Sequence, residues 1–238
     1  VLIVLGIIGI IAALTIPTLV NNAEKKSYVI ALKKFYTTQN NGWKALLATE
    51  GVEQLDDTTL ISKVNGSYDS AATDYNLRSE LQKYFKVNSI KPQSNYVIHY
   101  LDGSLAGDYS HDDLLAFPDG AVIDSGIIYK KATTSNDYSE IQSAGGHLYN
   151  TQIEQLIIDV NGFKKPNIVG RDVFFFVLSG NGILYPREGN DWAIWEPAGK
   201  WYQVNGCGTN SADNSGIATS DGTGCAARIM ESGWEMNY

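Results

Sequence analysis

The chain is short of the residues that usually carry chemistry. Its 238 residues include two cysteines and three scattered histidines, His99, His111 and His147. Two cysteines cannot supply a four-thiolate zinc site. No GxSxG, P-loop or HExxH pattern occurs, so the usual nucleophile, phosphate and zinc signatures are missing. Charge is scarce too, at 18% of residues, and 26 acidic side chains outnumber 18 basic ones for a net −8. An acidic mean field repels a polyanion, so no nucleic-acid partner is inferred. These shortages argue against an enzyme. What remains, with 23 glycines and 11% aromatics, is a turn-rich globular composition sized for one domain and an appendage.

The scarce charge is also unevenly placed. Residues 1–20, VLIVLGIIGIIAALTIPTLV, carry none, and the first charged side chain is Glu24. Twenty helical residues at about 1.5 Å each span about 30 Å, the hydrocarbon thickness of a bilayer. A secretory signal would have a shorter apolar core followed by a small-residue cleavage site, and AALTIP offers no convincing one. A plain transmembrane anchor fits the length.

A third reading comes from the residues beyond the apolar run. After Asn21 and Asn22 the large apolar side chains fall at Tyr28, Leu32, Phe35, Tyr36, Trp43, Leu46 and Leu47. Steps of three and four place them on one helical stripe. Lys25, Lys26, Lys33, Lys34 and Lys44 lie mainly off it. Pro17 should kink the helix, and Gly42 should soften it by roughly 1 kcal/mol. The expectation is one helix of about fifty residues, apolar in its first half and amphipathic in its second.

LGIIGIIAALTIPTL, with Gly6, Gly9, Ala12, Ala13 and Pro17 in place, resembles the N-terminal helix of type IV pilins and type II secretion pseudopilins. The resemblance covers roughly the first fifty residues. It places a basic leader, a methylated Phe and a Glu just upstream of Val1. It implies an inner-membrane precursor whose apolar helices later assemble into a helical homopolymer, with help from pilus or secretion machinery. Independently, small residues let apolar helices approach closely, and a head-to-tail contact that does not close generates a filament. Lys25 and Lys26 conflict mildly with this topology. The positive-inside rule alone would keep them, and the head, in the cytoplasm.

Residues 51–238 are expected to form the head. NLRSELQKYF suggests a helix at about 75–86. Strand-like stretches occur beyond it at Tyr96–Leu101, Leu114–Phe117, Ala121–Tyr129, Gln155–Val160, Val173–Leu178 and Ile183–Tyr185. Pro118-Asp119-Gly120 and Ser179-Gly180-Asn181-Gly182 read as hairpin turns. Adjacent strands joined by tight turns imply an antiparallel sheet, with the stripe from Tyr28 to Leu47 covering one face. The expected fold class is α+β: a long helix packed on a sheet-based head.

Cys207 and Cys225 enclose 17 residues, almost all small or polar. Such a loop cannot hold itself by burial, so a disulfide is favoured over two free thiols in an exported chain. C-terminal disulfide-bounded regions in pilins point the same way. After Cys225 a short helix should end at Gly233, with Trp234 folding back onto the head.

Three sites are weighed for ligand chemistry. Asp159-Val160-Asn161-Gly162, with Asp172 downstream, has some of the oxygen ligands of a calcium loop but not its full spacing. Some pseudopilins bind calcium in the head, so calcium is the one cofactor considered, but an ordinary Asx turn is the preferred reading. Trp192, Trp195, Trp201 and Tyr202 could stack on sugars if exposed, though a loop tucked over the core by its aromatics is preferred. His111-Asp112-Asp113 has no nucleophile or third ligand near it and is read as a solvated loop. The expected function is a structural pilus-like subunit, surface-exposed once assembled. A periplasmic pseudopilin and a membrane-tethered glycan-binding module are the alternatives.

Overall fold

A computed structural model describes residues 2–59, 84–90, 96–108, 114–126, 130–131, 151–186, 207 and 222–238. Helix α1 spans Leu2–Glu50 and runs through Pro17 without a break in its helical assignment. Its 49 residues extend about 74 Å at 1.5 Å per residue. Among the described residues, only its second half meets the rest of the chain. There Leu32, Phe35, Trp43 and Leu46 are at most 2% exposed, the stripe that the sequence marks out.

The partner of that stripe is a seven-stranded antiparallel sheet. Its strands are β1 (Asn88–Ile90), β4 (Leu114–Ala116), β5 (Val122–Gly126), β6 (Lys130–Lys131), β7 (Thr151–Asp159), β8 (Val173–Ser179) and β9 (Leu184–Pro186). The spatial order is β1-β4-β5-β7-β8-β9, and β6 also pairs with β7. Between β1 and β4 the chain forms a separate hairpin, β2 (Val97–His99) with β3 (Leu105–Asp108).

Both expected tight turns are present. Phe117 N–H donates to Ala121 O and Gly120 N–H to Phe117 O, closing the β4–β5 hairpin. Gly182 N–H donates to Ser179 O at the β8–β9 turn, where Gly182 sits at φ +74°. Leu47 and Trp43 lie 3.0 and 3.3 Å from where a Gly182 Cβ would stand. That turn therefore needs glycine twice, for its backbone and for the helix that crosses it.

Period-two alternation divides the sheet residues between two cores. Ile123, Leu156, Ile158, Phe174, Phe176 and Leu178 join the α1 side chains in the larger one. Their neighbours Val122, Ile157, Val173 and Phe175 face the opposite side, with Tyr96, Ile98 and Val169. This explains the uninterrupted apolar run of β8: both of its faces are covered. The second cover has no signal in the sequence. Tyr96–Leu101 belongs not to the main sheet but to the β2–β3 hairpin, held to the 160–172 loop by His99 N–H to Asn167 O (3.0 Å) and Val169 N–H to His99 O (2.9 Å).

Short α2 (Cys225–Glu231) follows the Cys207–Cys225 disulfide, whose Cα atoms lie 4.7 Å apart. It buries Ala226 and Ile229 in the larger core. Ser232 N–H and Trp234 N–H bond back to Arg228 O and Ile229 O, and Gly233 at φ +79° ends the helix. The helix expected at 75–86 lies outside the described residues except for 84–86.

Candidate assembly helix and its anchorage

The two halves of α1 sit in opposite environments. Ile3, Leu14 and Leu19 are 80%, 73% and 71% exposed. The segment is long and apolar enough to cross a membrane, with a mean hydropathy of 2.6 over its most apolar window. Gly6, Gly9, Ala13 and Pro17 recur at steps of three and four and share one face, with Ala12 beside it. A Cβ added to Gly6 or Gly9 meets no atom within 4 Å. Close approach of the chain's own head does not explain those glycines.

The head takes hold at Glu24. Its Oε2 accepts from the Arg171 guanidinium at 3.0 Å, and one residue on, Lys25 Nζ donates to the backbone oxygen of Tyr238. Further along, Asn40 Oδ1 accepts the Leu184 N–H at 2.8 Å and so ties edge strand β9 to the helix. The C-terminal residues run beside α1: Trp234 lies 5.7 Å from Tyr36, and Tyr238 donates from its hydroxyl to Gly170 O at 2.5 Å. Trp234 thus folds back as the sequence suggests, and its contact is the helix.

Gly42 corrects an expectation. Rather than a soft point, it is where the Phe85 ring lies against the helix, in the space a Cβ would need. Phe85 in turn packs on Trp43 at 5.1 Å and Phe117 at 6.5 Å. The cavity beside them, lined by Gln39, Trp43 and Phe85, measures about 10 Å³, room for about one water.

Asp159, Asn161 and Asp172 do come together, at the end of β7 and in the loop before β8. Asp159 accepts from Tyr96 OH (2.7 Å) and Asn161 N–H (3.0 Å). Asp172 accepts from Ile168 N–H (2.7 Å), Asn167 N–H (2.9 Å) and Asn161 Nδ2 (3.0 Å). All four carboxylate oxygens therefore face N–H or O–H donors, whereas calcium wants six to eight oxygen ligands. The calcium expectation draws no support from this geometry. What the trio does is close the 160–172 loop under Tyr96.

Burial dominates the electrostatics here. Desolvation pushes the Asp159 carboxyl up to about 8, opposed by the Tyr96 hydrogen bond and helped by the Asp172 charge. Asp172 is raised for the same first reason, against the pull of the Ile168 and Asn167 N–H groups. The Tyr28 phenol on α1 is also raised, by burial and then by Asp172, so the loop and the helix share one polar junction.

Trp192, Trp195, Trp201 and Tyr202 lie outside the described residues, as do His111 and His147. Comparison with protein-family models, with curated proteins and with solved structures finds no significant match to this chain. Function must therefore be read from the helix and its anchorage. Sequence reasoning missed the Glu24–Arg171 pair and the Gly42–Phe85 contact. Their partners are far away in sequence (147 residues in the first case), and no local pattern marks such pairs.

Proposed function

We propose that the chain is a structural subunit of a type IV pilus-like filament, held in the inner membrane before assembly and polymerised through the first half of α1. The observation that carries this reading is the sharp boundary on one continuous helix. From Ile3 to Val20 its large apolar side chains are at least 49% exposed, and past Glu24 a stripe of them is at most 8% exposed. A uniformly apolar helix requires lipid or other apolar helices around it. The resemblance of Gly6 to Pro17 to the prepilin helix supports exchanging the one for the other. The Cys207–Cys225 disulfide suits an oxidising compartment on the far side of the membrane.

The experiment is gene deletion with electron microscopy, paired with the N-terminal residue and intact mass of the native protein. Surface filaments lost on deletion, and a methylated Phe ahead of Val1, are the expected result. A secretion defect without surface filaments would move the protein to a periplasmic pseudopilus. An unmethylated end on a protein that never polymerises would leave the helix a simple tether.

A further inference from the structure

Among the described residues, the outward face of the second half of α1 carries a pattern that the fold uses only at Lys33, which lies over Trp234. Lys26, Ile30, Lys33, Thr37, Asn41 and Lys44 are all exposed and succeed one another at steps of four, three, four, four and three. They form a straight stripe opposite the buried one. Ile30, 69% exposed, is the large apolar residue of the stripe and lies between Lys26 and Lys33, and the stripe holds no carboxylate. Lys25 is engaged with Tyr238, Lys34 with Asp119 at 3.5 Å, and Lys33 of the stripe lies over the Trp234 ring at 5.5 Å while staying exposed.

The charge of the chain is split along the same line. Residues 1–50 contain five lysines and two glutamates, net +3, which leaves −11 for residues 51–238. Exposed carboxylates on the described part of the head include Glu53, Asp57, Asp102, Glu231 and Glu235. Heads of net −11 repel one another when brought side by side.

We propose that this stripe is an intersubunit docking surface, on which the acidic head of a second copy of the chain rests. The inference rests on the filament reading and names the contact that would set the spacing of its heads. Charge complementarity is the argument for the occupant. An anionic membrane surface does not explain the pattern. Lys33 and Lys44 lie about 20 and 36 Å along the helix from Val20, about 2.5 and 4.5 Debye lengths from headgroups at physiological salt. A nucleic acid would meet the same −11 head that the stripe offsets. Ile30 gives the contact an apolar centre among rim charges, and those charges set register and encounter more than affinity.

The test uses the full chain in membranes, as a mixture of ¹⁴N- and ¹⁵N-labelled copies. The photocrosslinker p-benzoylphenylalanine replaces Thr37 in one preparation and Ile16 in another. The expected result is a mixed-isotope link from position 37 to an acidic head peptide. The double variant Lys33→Glu/Lys44→Glu should weaken that link roughly tenfold, and 0.5 M salt should weaken it as well, while the link from position 16 persists. Both lysines are exposed, Lys33 above the Trp234 ring, and a thermal unfolding midpoint close to that of the wild type will show that the variant folds. Links from position 16 without links from position 37 would overturn the docking surface and leave the filament reading standing. Links from position 37 only to lipid, or only within one chain, would overturn it equally. No links between copies from either position would overturn both.

Discussion

The first twenty residues of α1 and the next thirty share one backbone and one secondary structure, yet folding of the single chain treats them oppositely. In the second half, Leu32, Phe35 and Leu46 are essentially sealed from solvent, and each contributes about 1.5–3 kcal/mol by burial. In the first half Ile7, Ile8 and Ile11 are all more than half exposed and contribute nothing of that kind to the monomer. Hydrophobicity alone therefore does not say where a core is. The first half is more apolar and is not core; the second is mixed and is. Periodicity makes the difference. A helix that is apolar all round has no preferred side to give a sheet, whereas a stripe has one.

The largest expected effect lies on the stripe. Phe35→Ala should cost about 3–5 kcal/mol of head stability, read as a drop in unfolding midpoint in detergent. Ile8→Ala should leave that midpoint unchanged while weakening association between copies. Equal effects from both would erase the distinction between the halves. Next comes the C-terminal brace. Cys207→Ser frees the loop of 17 residues and should lower stability by about 3 kcal/mol, with faster proteolysis of residues 207–238; unchanged protease resistance would show that the bond holds nothing in place.

Gly42→Ala sharpens the comparison within glycines. It should destabilise by about 1–3 kcal/mol through overpacking against Phe85, whereas Gly6→Ala and Gly9→Ala, with open space around them, should not lower the unfolding midpoint at all. A stable Gly42→Ala protein would mean that Phe85 moves aside freely. The last test is a pH slope. Asp159 is raised from 3.8 to about 8 in the folded state, so its neutral form is the one the fold favours. The stability it adds is full below the unfolded pKa near 4 and is lost as pH rises through 8. Urea midpoints should therefore fall between about pH 4 and 8 by more in the wild type than in Asp159→Asn. Parallel pH profiles would place the origin of the slope elsewhere.

Much of this architecture is legible in the sequence. The charge-free run, the three-four spacing from Tyr28 to Leu47, and the turns at 118–120 and 179–182 each declare a local preference, because helix and hairpin are decided within a few residues. β4, β8 and β9 end within one residue of their expected apolar stretches, whereas β7 begins at Thr151, four residues before the expected Gln155. Short β1, β3 and β6 do not show. Asn88–Ile90 and Leu105–Asp108 hold one large apolar residue each, too little to mark a strand, and pairing partners hold them in place rather than propensity. The candidate site divides the same way. Gly6 to Pro17 and the Asp159–Asn161–Asp172 grouping are visible as motifs, but the donors that occupy those carboxylates come from Tyr96, Asn167 and Ile168, and only the fold brings them in.

By itself the sequence determined the helix, its two characters and the strands with a clear period, since each follows from the chain's short-range covalent order. Only tertiary structure decided where the apolar half stops being bare. That boundary is made by Glu24 meeting Arg171 and Lys25 meeting Tyr238. Such contacts join residues far apart in the chain, and no local energy term selects them. They form because a packed core admits few arrangements, and the burial gained there offsets the entropy lost in closing the long loops between them.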